Sequence, residues 1–129
     1  MIVGVGVDLI EMSRVAAAID GSGERFLERL FTPSERADCE GRRDEVALLA
    51  ERFAAKEALL KAIGTGWSGG ARWKEAEVRL DRRGRPLLHL SGKTAEIARS
   101  AGASRVHLSL GRAHDMAAAL VILEREGTP

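Results

Sequence analysis

Asp8 and Glu57 sit where a sequence seldom leaves an acid without a partner. In "IVGVGVDLI" a β-branched run puts Val3, Val5 and Val7 on one face of a strand and Gly4, Gly6 and Asp8 on the other, where the glycines clear space beside the carboxylate. In "ERFAAKEALLKAIGTG" the helical period places Glu57 on the same side as Val46, Leu49, Phe53 and Leu60. An unpaired carboxylate there costs on the order of several kcal/mol. Two such acids can share a divalent cation. Magnesium suits them, since it takes one or two protein carboxylates and completes its shell with water and substrate phosphate. The alternative is local: Asp8 caps the turn after its strand, and Glu57 pairs with Arg52 or Lys61.

The cations around Glu57 extend both readings. Lys61 follows it by four residues, either as a surface pair or as a charge that neutralises phosphate during group transfer. Arg52 and Lys56 could reach other phosphates or stay solvated. "GTG" at Gly64, Thr65 and Gly66 reads as a helix stop with a turn, or as backbone N–H groups turned to an anion. Arg79, Arg82, Arg83 and Arg85 crowd one turn, which is either a solvated loop or a cradle for a phosphate-rich ligand.

The elements that must position these residues follow from pattern. After the first strand, "SRVAAAI" predicts a short helix with Ser13 as N-cap, and "TPSE" at 32–35 predicts a helix start with a capping box. The helix of Glu57 runs from about Asp44 to Ile63. "AEVRL" and "PLLHL" predict two strands around "DRRGR", "KTAEIARSAG" a helix ending near Gly102, and "RVHLSL" and "MAAALVILE" two strands joined by "GRAHD". One strand, then helices, then hairpins gives an α+β fold with an antiparallel sheet and packed helices, in one domain over residues 1–129.

Composition narrows the function classes. At 129 residues with 45% hydrophobic and 4% aromatic content, the core is aliphatic and needs no staples. A net charge of +1 and a pI near 8.0 exclude nucleic-acid binding by bulk charge. Cys39 is the sole cysteine, so there is neither an internal disulfide nor a cysteine-rich zinc site, and nothing in "SERADCE" activates it. "MIVGVGVDLI" lacks a basic leader and is broken by Asp8, which argues against a signal peptide, and no run has the length of a membrane span. The expectation is a cytoplasmic protein. His89 and His107, inside apolar strands, read as satisfied core histidines, His114 as exposed in a turn, and Ser109 as lacking an acid–base partner.

"GVGVDLIEMSRV" followed by "RFAAKEALLKAIGTG" resembles the holo-[acyl-carrier-protein] synthases, the small phosphopantetheinyl transferases, over essentially the whole chain. The pairing of G-x-D with F-x-x-K-E-x-x-x-K about fifty residues later carries the likeness, with "GRP" before a strand and the closing "HLSL" and "AAALVILE". The resemblance implies a 4′-phosphopantetheinyl transferase-like fold. It implies a magnesium ion on Asp8 and Glu57, and Lys61 on the phosphates. Arg52, Gly64, Thr65, Gly66, Gly84, Arg85 and Pro86 would hold coenzyme A. It implies a homotrimer with sites at subunit interfaces, and an acidic acyl carrier protein docking near Arg14, Arg25, Phe26 and Arg29. Glu57, directly or through a metal-bound water, is the candidate to accept the proton of the carrier's serine. Two positions depart from the family. Gly111 and Arg112 stand where many relatives have a histidine from across the interface, and Met116 where they have a tyrosine. Other functions open to the same residues are a non-catalytic trimer that binds coenzyme A and a magnesium-dependent phosphohydrolase. Whether the carrier serves fatty-acid or polyketide synthesis is not written in the sequence.

Overall fold

The computed structural model describes residues 1–127. β1 (Ile2–Glu11) leads into α1 (Met12–Ser22), α2 (Glu24–Leu30), α3 (Pro33–Cys39) and the long α4 (Glu45–Ile63). Two short 3-10 turns, Gly66–Gly69 and Trp73–Glu75, connect to β2 (Ala76–Leu80) and β3 (Pro86–Leu90). α5 (Gly92–Ser100), β4 (Arg105–Ala113) and β5 (Met116–Glu124) complete the α+β fold. β1, β5 and β4 form one antiparallel sheet in that order, and β2 pairs with β3 in a second.

The glycines of β1 explain how α4 meets the sheet. A Cβ on Gly6 would collide with the carbonyl oxygen of Ala58, and one on Gly4 with that of Ala62. The helix answers with Ala54, Ala55, Ala58 and Ala62, all buried. Small residues on both sides let strand and helix backbones touch. Gly6→Ala is therefore expected to cost about 1–3 kcal/mol through overpacking, read as a lower denaturant midpoint at constant slope. Wild-type stability would show that α4 can retreat at no cost.

α4 is not the one-sided helix its period suggested. It packs against β1 and β5 on one side and α1, α3 and β2 on others, so burial runs round its circumference. Arg52 and Lys56, read as solvated or phosphate-facing, are buried. The Lys56 ammonium donates to Glu35 Oε1 at 2.8 Å, to the carbonyl of Ala76 at 2.7 Å and to that of Trp73 at 3.0 Å, which uses all three of its protons. Glu35 also closes the Thr32 capping box as the sequence implied, and its Oε2 accepts from the Val78 amide at 2.9 Å. One buried ion pair thus stitches α3, α4 and β2 together.

Other local expectations shift. Ser13 is not the N-cap of α1: Glu11 is, without a side-chain bond, and Ser13 instead bonds Asp115. α2 was missed, although Phe26, Leu27 and Leu30 in "ERFLERL" carry a helical period. β4 continues through Gly111, Arg112 and Ala113, leaving His114 and Asp115 as the hairpin turn. His89 and His107 are exposed, because each lies on the outward side of its strand. His107 faces Glu124 at 2.9 Å. Cys39 is buried, and burial pushes its thiol up to about 11, so it is inert as read.

Candidate active site

Asp8 faces α4 from the glycine side of β1, opposite Ala119 of β5, and Glu57 faces it from the middle of α4. Both line a cleft of about 360 Å³, whose remaining wall includes Arg14 of α1, Phe26 of α2, Phe53 of α4 and Met116 of β5. Its apolar side is backed by an edge-to-face chain of rings. Phe26 meets Phe53 at 6.2 Å between centroids, and Phe53 meets Trp73 at 5.4 Å.

Lys61 Nζ donates to Asp8 Oδ1 at 2.7 Å and to the carbonyl of Val7 at 3.2 Å. The local reading had given this lysine to Glu57; the structure gives it to Asp8. The hydrogen bond to Asp8 and the Asp8 charge raise the Lys61 pKa. Glu57 is left half-buried, and its carboxyl titrates above its ordinary value. Burial is the main cause, the Asp8 charge the second, and Lys61 opposes both. Glu11 and Arg14, which also line the cleft, pair with each other, so Asp8, Glu57 and Lys61 leave an excess of negative charge that a dication would relieve. Among the described residues no cluster of three or more His, Cys, Asp or Glu exists, so a cation here would have two protein carboxylates and open positions for water and phosphate. That donor set fits magnesium.

The other predicted residues divide. Gly64 ends α4 in the left-handed conformation (φ 86°) that favours glycine, and Thr65 and Gly66 follow it, exposed, one turn beyond Lys61. Gly84 (φ 81°), Arg85 and Pro86 close the β2–β3 turn, which Asp81 organises by accepting from the amides of Arg83 and Arg85. Neither turn lines the cleft of Asp8 and Glu57. Arg52 does not reach it either. Arg52 is 2% exposed, and its guanidinium donates to the Leu48 carbonyl and lies 3.8 Å from Asp38, because α3 covers that side of α4. Arg112 is held within the chain by Asp44 at 3.2 Å and by the buried Glu51 at 2.9 Å, so it does not stand free in place of the histidine many relatives have. Glu51 was missed, and no local signal points to it, since its partner lies 61 residues away. Arg14 is exposed beside Glu11, Glu24 pairs with Arg36 rather than Arg25, and among the described residues Arg25 and Arg29 form no ion pair.

Residues 4–121 match the 4′-phosphopantetheinyl transferase superfamily. The holo-[acyl-carrier-protein] synthase of Koribacter versatilis is 45% identical over 124 residues, covering 96% of this chain and 99% of the relative. The crystal structure of the holo-[acyl-carrier-protein] synthase of Neisseria meningitidis superposes with a TM-score of 0.88 at 33% identity, covering 97% of this chain and 100% of that one. That of Bacillus anthracis, in complex with CoA (3′,5′-ADP), superposes with a TM-score of 0.81 at 38% identity, covering 98% and 99%. At such identity over nearly the full length, with the G-x-D aspartate and the K-E glutamate meeting in one cleft, the chain belongs to the holo-[acyl-carrier-protein] synthase family of phosphopantetheinyl transferases.

Proposed function

We propose that this chain, acting as one catalytic unit in the cytoplasm, moves 4′-phosphopantetheine from coenzyme A to a serine of an acyl carrier protein, with magnesium on Asp8 and Glu57. The observation that carries the reading is the meeting of those two acids, 49 residues apart, around a cleft whose negative charge Lys61 only partly balances. The complex of the Bacillus anthracis relative with CoA supports coenzyme A as donor. Bound there, the cation supplies Lewis-acid polarisation of the pyrophosphate. Lys61, 56% exposed, can turn from Asp8 to the phosphates and offset their developing charge. The serine oxygen bonds the phosphorus that carries pantetheine, the pyrophosphate P–O bond breaks, and adenosine 3′,5′-bisphosphate leaves. Glu57, which lines the cleft, accepts the serine proton, directly or through a water. Gly64, Thr65, Gly66, Gly84, Arg85 and Pro86 form the coenzyme A-holding turns outside the cleft. Incubation with coenzyme A, magnesium and an apo carrier tests the reading. Mass gain on the carrier supports it, coenzyme A breakdown without carrier indicates a hydrolase, and binding without turnover a non-catalytic module.

The outer face of the three-stranded sheet supports a homotrimer. Val5, Val7 and Leu9 on β1 are 55%, 57% and 63% exposed and run beside Leu120 of β5. A contiguous apolar face of this kind marks an interface. Light scattering is expected to give three times the chain mass, and a stable, active monomer would refute it.

Carrier docking is assigned to Arg14, Arg25, Phe26 and Arg29: Arg14 of α1 and Phe26 of α2 line the cleft, and Arg25 and Arg29 are exposed on α2. Arg14→Glu and Arg25→Glu should raise KM for the carrier and weaken its salt dependence, leaving coenzyme A affinity alone. Wild-type carrier kinetics at low salt in both variants would move docking elsewhere.

A further inference from the structure

We propose that Asp115, at the tip of the β4–β5 hairpin, is a positioning residue that fixes the first turn of α1 against the cleft and so sets how the carrier protein is received. The inference rests on the docking role of α1 given above.

α1 has no cap of its own, since the Glu11 side chain bonds none of its amides. A residue 102 positions away supplies one instead. Asp115 Oδ1 accepts from the Ser13 amide at 3.1 Å, Oδ2 accepts from the Ser13 hydroxyl at 2.6 Å, and the Asp115 carbonyl accepts from the Met12 amide at 2.7 Å. Two of the bonds serve backbone donors that a helix start leaves open, and the third holds the Ser13 hydroxyl. A two-residue hairpin turn, which calls for a positive φ, presents Asp115 to α1. His114 has φ 54°, and among the described residues it is the sole non-glycine with a positive φ. Arg112 holds the base of the same tip to α4 through Asp44 and Glu51. The tip is therefore anchored on α4 and closed onto α1.

The residues it controls are those of the cleft. Met116, next to Asp115, lines it, and α1 contributes Arg14 and Val15 from the turn that Asp115 caps. Asp8, Glu57 and the turns at 64–66 and 84–86 lie on other elements, and among the described residues the side-chain hydrogen bonds of Asp115 go to Ser13. Loosening the clamp should thus disturb the carrier side and spare the coenzyme A side.

The test is Asp115→Ala, compared with Asp115→Asn, whose amide oxygen can still accept from Ser13. Asp115→Ala should speed hydrogen exchange at the Ser13 amide. It should raise KM for the apo carrier about fivefold, the size of a lost helix cap. The KM for coenzyme A and kcat should stay within about twofold of wild type. Asp115→Asn should restore both readouts most of the way. Faster Ser13 exchange with an unchanged carrier KM would overturn the proposal, leaving Asp115 a stabilising cap alone, as would equal losses for both substrates. If the wild-type protein charges no carrier, the proposed function fails, and unchanged Ser13 exchange in Asp115→Ala would then overturn the clamp separately.

Discussion

Asp8→Ala and Glu57→Ala are each expected to lower transfer by about a thousandfold or more while the protein stays folded. The loss follows from the donor count: Asp8 and Glu57 are the two carboxylates proposed to hold the cation, so removing either leaves it one protein ligand and the pyrophosphate without its polarising charge. The fold should survive for reasons specific to each acid. Burial and Asp8 both disfavour ionised Glu57, so its removal relieves a conflict within the native state. Asp8→Ala frees Lys61, which is 56% exposed and keeps the Val7 carbonyl and water. Thermal melts alongside a carrier-charging assay check both halves. A variant that melts like the wild type and still charges the carrier would remove that acid from the site.

Lys56→Met should have the largest effect on stability, on the order of 3–5 kcal/mol, since it leaves Glu35 ionised and buried without its cation. That loss is a large part of the total stability of a small domain. Burial alone already lowers the Lys56 pKa, with Glu35 opposing the shift, so the pair persists because each charge answers the other. Adding Glu35→Gln should recover much of the loss. Its amide oxygen can still accept from Val78, and no charge remains inside. Denaturant titration of the single and double variants is the check. A Lys56→Met protein as stable as wild type would show that Glu35 is neutralised some other way.

How far the site was legible depended on whether its cause was local. The Gly4, Gly6 and Asp8 face shows in the sequence because side chains alternate along that stretch, and the glycines announce a close approach that the structure confirms against Ala58 and Ala62. Val3 leaves the face of Val5 and Val7 and packs on the core, because the register shifts between Ile2 and Gly4. Thr32, Pro33 and Glu35 announce a helix start because capping is read from neighbours in sequence. Helical angle fails on α4. When a helix is covered on several sides, Lys56 and Arg52 are buried as deeply as Leu49 and Leu59, and period no longer separates inside from outside. Strand alternation likewise orders His107 and Leu108 onto opposite faces without saying which face is covered. The bonds of Asp115 to Ser13 and of Arg112 to Glu51 join segments 102 and 61 residues apart, and nothing within either segment points to the other.

The central claim is that Asp8 and Glu57 hold one cation between them, and calorimetric titration of magnesium tests it most directly. Wild-type protein, Asp8→Asn and Glu57→Gln would each be titrated in the presence of coenzyme A. One magnesium site per chain in the wild type, weakened at least about tenfold in both variants, is the predicted result. Wild-type magnesium affinity in either variant would contradict the shared site.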